Sequence, residues 1–312
     1  MILVTGGLGF IGAHTTRALL DLGEDCVVGR YQVDRRPPFL VAEIGSRVAV
    51  EPLDCTDLDA LRTIGKRHPI TGIVHLAGVR PGSAPVADEL QGNVVAALNV
   101  LRVAAEWGVT RVTLASTIGV YAGVAGPAWR EDAPLPLATG HSIPAAKKAI
   151  EILAGAAAGG VEAVSVRIGA VWGPLGRASS RFIAAPALVH AAVYPGDQRE
   201  PLGYADDAVD LCYVRDCGRA LAALQTAGRL RHQAYNVGSG AATSNAQFVA
   251  ALRSIVPTAT LDLLPGRGPL AVPGDPYLDV TRVVTDTGYE PSYDLETAIA
   301  DYVDWLRAGN PL

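Results

Sequence analysis

The first twelve residues read MILVTGGLGFIG, and their order decides the fold. Met1 to Val4 form an apolar run of strand length, glycines follow at positions 6, 9 and 12, and a helical pattern runs from Ala13 to Leu22 before Gly23. The spacing predicts a strand, a tight turn and a helix. Glycine serves such a turn in three ways: no Cβ obstructs the bend, backbone amides can approach a pyrophosphate, and helix packs closely on strand. The helix N-terminus then offers phosphate unpaired N–H groups and a positive dipole end. Glycine-rich turns also occur without a ligand, but a strand before and a helix after point to a dinucleotide held by Gly6, Gly9, Phe10, Ile11 and Gly12.

Working outward, strand-like and helix-like segments alternate. Cys26 to Val28 end a second strand, Val48 to Leu53 make a third and Ile73 to Gly78 a fourth; a helix from Asn93 to Trp107 precedes a fifth strand from Arg111 to Ala115. Repeated βαβ units imply an α/β fold of the Rossmann type, a doubly wound parallel sheet with helices on both faces. Ligands in such sheets bind at the carboxyl ends of the strands, which places Leu76, Ala77, Gly78 and Thr117 at the expected site.

The chain has 312 residues, 49% of them hydrophobic and 18% charged, enough for a substantial core. A formal net charge of -5 argues against nucleic acid or an anionic membrane as partner. The sequence shows no leader-like segment and no apolar run of membrane-spanning length, so a cytoplasmic protein is expected. Cys26, Cys55, Cys212 and Cys217 lack metal-ligand spacing and are read as structural thiols; no metal is expected.

The chain resembles the extended short-chain dehydrogenase/reductase family, the epimerase and dehydratase group that acts on nucleotide sugars. The matching phrases are TGGLGFIG at 5 to 12, LDCTDLDAL around Asp54, HLAG at 75 to 78, NVVAALNVL from Asn93, STIGVY at 116 to 121 and VRIGAVWGP at 166 to 174. YVRD at 213 to 216, YNVGSG at 235 to 240 and DTGYEPSYDLETAI at 286 to 299 continue it nearly end to end. The resemblance implies a smaller C-terminal substrate-binding lobe. We expect residues 1–168 to form the dinucleotide domain, with 209–240 returning to it, and 169–208 and 241–312 to form the lobe.

The resemblance also implies a site in which Thr117 holds a substrate oxygen, a Tyr-x-x-x-Lys helix supplies a proton carrier, and Lys147 grips the nicotinamide ribose. Here Ile143 stands four residues before Lys147, and Tyr-x-x-x-Lys occurs nowhere in the chain. His141 and Tyr121 are the candidates to replace the tyrosine. Lysines are scarce, only Lys66, Lys147 and Lys148; Lys147 is read as the ribose contact and Lys148 as a surface residue. Ser142 and Pro144 read as a helix start, with the serine as N-cap.

Other departures narrow the chemistry. Ile118 and Gly119 occupy the place of the acidic pair that 4,6-dehydratases of this family carry. Ala170 and Val209 align with an asparagine and an arginine that touch nucleotide sugars in the family, which argues against an ordinary nucleotide sugar. Arg177 and Arg181 are candidates for an anion site in the lobe, or for solvated loop residues. At the end of the second strand an acidic residue favours NAD, whereas Arg30, followed by Arg35 and Arg36, favours the 2′-phosphate of NADP. NAD remains the alternative through Asp34. Asp54 is expected beside the adenine, or as a turn or helix-cap residue, or both. Two classes stay open: an NAD(P)-dependent oxidoreductase with a non-standard site, and a dinucleotide-fold protein without net hydride transfer, either a lyase or isomerase or a cofactor-sensing binder. The expected partners are a small-molecule substrate and a second copy of the chain.

Overall fold

The computed structural model describes residues 1–32, 35–157, 160–180, 182–196, 200–269 and 271–310. In chain order its elements are β1 (Ile2–Thr5), α1 (Phe10–Asp21), β2 (Cys26–Arg30), β3 (Val48–Pro52), α2 (Leu58–Arg67), β4 (Gly72–His75), α3 (Val86–Trp107), β5 (Arg111–Thr117), β6 (Ala128–Trp129), α4 (Ser142–Ala157) and β7 (Glu162–Ile168). They continue as β8 (Ala170–Trp172), α5 (Ala185–Val193), β9 (Ala208–Tyr213), α6 (Val214–Thr226), β10 (Ala234–Val237), β11 (Ala242–Ser244), α7 (Asn245–Ile255), β12 (Tyr277–Leu278), α8 (Thr281–Thr287) and α9 (Leu295–Arg307).

Seven strands form one sheet in the order β10-β7-β5-β4-β1-β2-β3, and every pairing in it is parallel. The period of two along β1 sends its side chains to opposite layers. Leu3 joins the core beneath α2, α3 and α4, with Leu61, Val100 and Ile150, whereas Val4 packs with Ala13 and Leu19 of α1. Helices α1 and α6 cross closely: a Cβ on Gly218 would lie 2.6 Å from the His14 carbonyl carbon. Chain order reverses between β1 and β4, and a crevice opens at such a switch point.

The lobe begins where β8, β9 and β11 make a second, three-stranded sheet, covered by α5, α7 and α9 around the buried Trp172, Phe248 and Tyr302. This corrects the boundary expected at 209. Val209 lies in β9, which pairs with β8 and β11, so the return to the first domain starts with α6 and ends with β10. The tail is likewise divided, because Val283 of α8 packs with Tyr235 of β10. All four cysteines are free and buried. Among the described residues no helix is long and apolar enough to cross a membrane, and no His/Cys/Asp/Glu group suited to a metal ion occurs.

Candidate active site

The glycine turn closes as its spacing demands. Gly6 takes φ +69°, and a Cβ on Gly12 would lie 2.1 Å from the Gly6 carbonyl oxygen, so neither position tolerates a side chain without rearrangement. Gly9 is the N-cap of α1 and contributes no side-chain cap, and the first turn holds no acidic residue. The leading N–H groups of α1 therefore face the crevice uncapped. Thr5 ties the turn to the neighbouring strand: its Oγ1 accepts from the amides of Leu76 (3.1 Å) and Ala77 (3.2 Å) and lies 2.8 Å from His75 Nδ1. The loop beyond Gly78 is fixed by Asn93, whose Oδ1 accepts from Val79 N at 3.2 Å. Phe10 and Ile11 are half-buried at the start of α1, and Phe10 packs under Gly176.

At the carboxyl end of β2 stands Arg30, whose carbonyl accepts from Leu53 N at 2.7 Å. Arg35 Nη1 donates to the Leu175 carbonyl at 2.8 Å, and Asp34 lies outside the described residues. Asp54 makes a turn, its Oδ1 accepting from Thr56 N (2.8 Å) and Oγ1 (2.7 Å). The helix cap expected of it belongs to Asp57, whose side chain accepts from Asp59 N and Ala60 N.

Thr117 closes β5, and its Oγ1 accepts from Gly119 N at 3.2 Å. The first turn of α4 packs against this loop, with Pro144 Cγ 3.0 Å from where a Cβ on Gly119 would sit. The cap of α4 is His141 and not Ser142: the His141 carbonyl accepts from Ala145 N at 3.3 Å, and its Nδ1 accepts from Ile143 N at 3.2 Å. Ser142 instead donates to Glu89 Oε2 at 2.9 Å, because that buried carboxylate of α3 reaches the helix start. His141 stays at the exposed rim, its ring edge-on to Phe182 at 5.6 Å.

Lys147 lies one turn beyond Ile143. It is half-buried by area, yet desolvation pushes its ammonium down to about 8, against the opposing pull of Glu151. The same positive charge adds to the burial that holds His75 neutral, its pKa pushed down to about 3. Lys148 is not the surface residue expected: it is buried and donates to the Pro136 carbonyl.

Tyr121 is likewise corrected. It is fully buried, donates to Asn236 Oδ1 at 2.8 Å, accepts from Arg167 Nη1 at 2.9 Å and stacks on Trp129 at 5.4 Å. Burial raises its pKa to about 12, so this phenol is a core strut and not a proton carrier in the cleft. Arg167 also pairs with Glu151 at 2.8 Å, and Ser116 Oγ donates to Glu151 Oε1 at 2.5 Å. That buried network behind Lys147 was missed in the sequence, although Glu151 follows Lys147 by four residues and so shares its helix face. Arg177 is exposed in the loop after β8, and Arg181 lies outside the described residues.

The profile of the NAD dependent epimerase/dehydratase family matches residues 2–238. The chain belongs to this family. A UDP-glucuronate 4-epimerase from Thermodesulfobacterium geofontis is 29% identical over 257 residues, covering 76% of this chain and 75% of that protein. Among solved structures, the Thermus thermophilus UDP-glucose 4-epimerase in complex with NAD matches with a TM-score of 0.79 at 21% identity, covering 98% of both chains. The L-threonine dehydrogenase of Clostridium difficile matches with a TM-score of 0.83 at 19% identity, covering 99% of this chain and 98% of that one. At these identities the two structures establish the fold, which the epimerase/dehydratase family shares across different substrates.

Proposed function

We propose that the protein is an NAD(P)-dependent oxidoreductase of the epimerase type, with a rebuilt acid–base site and a substrate other than an ordinary UDP- or dTDP-sugar. The observation that carries this reading is a cofactor cradle kept intact beside a replaced proton carrier: the Gly6–Gly12 turn and the uncapped α1 face the crevice, while Ile143 precedes Lys147 by four residues. Gly6, Gly9, Gly12, Leu76, Ala77 and Lys147 hold the dinucleotide in this reading, with Asp54 toward the adenine. A nicotinamide bound there supplies the hydride acceptor. Arg30, Arg35 and Arg36 favour NADP over NAD, since a guanidinium fork matches a phosphate.

Thr117 orients the substrate oxygen, and Lys147 grips the ribose and keeps positive charge near the developing oxyanion. Val209 and Ala170 offer a diphosphate no charged side chain, and on that ground the proposed substrate differs from the UDP-sugars named for the relatives. In the second reading the fold binds the dinucleotide without net hydride transfer; the sealing of Tyr121 in the core favours it, because that phenol is tied to Asn236 and Arg167 and is not free to move a proton. One experiment separates the two: titrate the purified protein with NADP and NAD, then follow NAD(P)H oxidation with small aldehydes, ketones and keto-sugars. Binding with turnover supports the oxidoreductase, binding with no turnover the second reading, and brisk epimerisation of UDP-glucose refutes the substrate assignment.

A further inference from the structure

We propose that Glu151 is the positioning residue of this site: its buried carboxylate ties α4 to the strand end that carries Thr117 and supplies the counter-charge to Lys147. The inference rests on the roles given to Thr117 and Lys147 above. Thr117 stands between two residues anchored to one ion pair. Just before it, Ser116 Oγ donates to Glu151 Oε1 at 2.5 Å; four residues after it, Tyr121 Oη accepts from Arg167 Nη1 at 2.9 Å. Arg167 closes the pair with Nε and Nη2, at 3.1 and 2.8 Å from Glu151 Oε2, and its Nη1 also donates to the Glu131 carbonyl at 3.2 Å. With donors on both of its oxygens, the carboxylate is held in one orientation. A buried ion pair adds little stability over apolar side chains of the same volume, so a pair placed beside Thr117 is better accounted for by registry.

Lys147 and Glu151 are four residues apart in α4, a spacing that puts two side chains on one helix face with Cβ atoms about 5–6 Å apart. Burial pushes the Lys147 ammonium down, and Glu151 opposes that shift. The ionisable groups of the elements around α4 are engaged in other ways. Glu89 of α3 accepts from Ser142 and from Gly82 N, Tyr121 and Arg167 belong to the Glu151 network, and His75 of β4 stays neutral. Arg111 of β5 and Glu162 of β7 pair with each other at the opposite strand ends, and Lys148 turns to the Pro136 carbonyl. Glu151 is therefore the carboxylate that keeps Lys147 a cation near neutral pH.

The test is NMR on the full chain grown with lysine carrying carbon-13 at Cε, since Lys66, Lys147 and Lys148 are its only lysines, together with NAD titrations from about pH 6.5 to 9.5. NAD is the probe because it has no 2′-phosphate to titrate at the lower end of that range. In wild type the Lys147 signal, assigned with Lys147→Arg, is expected to titrate at about 8, and NAD affinity to fall as pH rises through that midpoint. Glu151→Gln moves both midpoints down by about one unit or more, the usual effect of an opposite charge at this range. Because Glu151→Gln strands Arg167, the double variant Glu151→Gln/Arg167→Gln is measured beside it, with the same shift expected. Ser116→Ala keeps both charges: it leaves the Lys147 midpoint in place and speeds amide exchange at Gly119, whose N–H is held by Thr117 Oγ1, roughly 5-fold, as one lost hydrogen bond would. A Lys147 midpoint unmoved in both Glu151 variants overturns the counter-charge, as does a shift in Ser116→Ala as large as theirs, which would assign the effect to loosened packing. Unchanged exchange at Gly119 overturns the tie. NAD affinity that stays flat through the wild-type Lys147 midpoint overturns the ribose role of Lys147 instead, and the lysine titration still decides what Glu151 does.

Discussion

Acidification to about pH 5.5 should destabilise the fold through two buried histidines. His14 and His75 are held neutral, with pKa values pushed down to about 4 and about 3, mainly by burial. Between those values and the unfolded value near 6.5 the unfolded chain binds protons that the folded chain refuses, so stability rises with pH across that window and falls as pH drops through it. At pH 5.5 the unfolded histidine is about ten-fold stabilised by protonation and the folded one hardly at all. Two such sites shift the equilibrium roughly 100-fold, about 3 kcal/mol, relative to pH 7.5. Glu131 and Asp210, raised by burial, pull the other way and offset part of this. For a chain of this length the uncompensated loss lowers the thermal midpoint by about 5 °C. The assay is urea unfolding at both pH values, alongside imidazole proton resonances, which six histidines keep resolvable. If stability is flat or higher at pH 5.5, and if all six rings titrate near their unfolded value, the buried neutral state assigned to His14 and His75 is wrong.

Other perturbations probe the site. Gly12→Ala places a Cβ 2.1 Å from the Gly6 carbonyl oxygen, and dinucleotide affinity measured by calorimetry should fall more than about 100-fold, since one good backbone contact to phosphate alone is worth about that much. Glu151→Leu strips the buried Arg167 of its carboxylate, and urea unfolding should show a loss of about 3–5 kcal/mol, the usual effect of breaking a buried pair; a loss under 1 kcal/mol would mean that Tyr121 and the Glu131 carbonyl suffice. Ile143→Tyr should lower native activity and create no new NAD(P)H oxidation across aldehydes, ketones and keto-sugars, because the larger polar ring is added to a first turn of α4 whose Pro144 already packs against the Gly119 loop. A large gain would show a simple lesion in place of a rebuilt site.

The parts legible in the sequence are those set by local chemistry. The glycine turn, the strand and helix alternation and the placement of Thr117 follow from steric rules acting over a few residues, and the structure reproduces them. What stayed hidden depends on partners far along the chain. Ser142 leaves its capping role because Glu89 comes within 2.9 Å of it, and His141 takes the role over. Lys148 and Tyr121 read as surface and cleft residues until folding brings Pro136, Arg167 and Asn236 to them. The point where the chain returns to the first domain was misplaced for the same reason: an apolar run at β9 does not announce which sheet it joins, and only its pairing with β8 and β11 decides.

The account stands most directly on the dinucleotide. Titration of the wild-type protein with NADP and with NAD in a calorimeter should show one site per chain, with NADP the tighter of the two. If only NAD binds, the argument from the arginines fails and the glycine turn survives it; if neither binds at millimolar concentration, the central claim is contradicted.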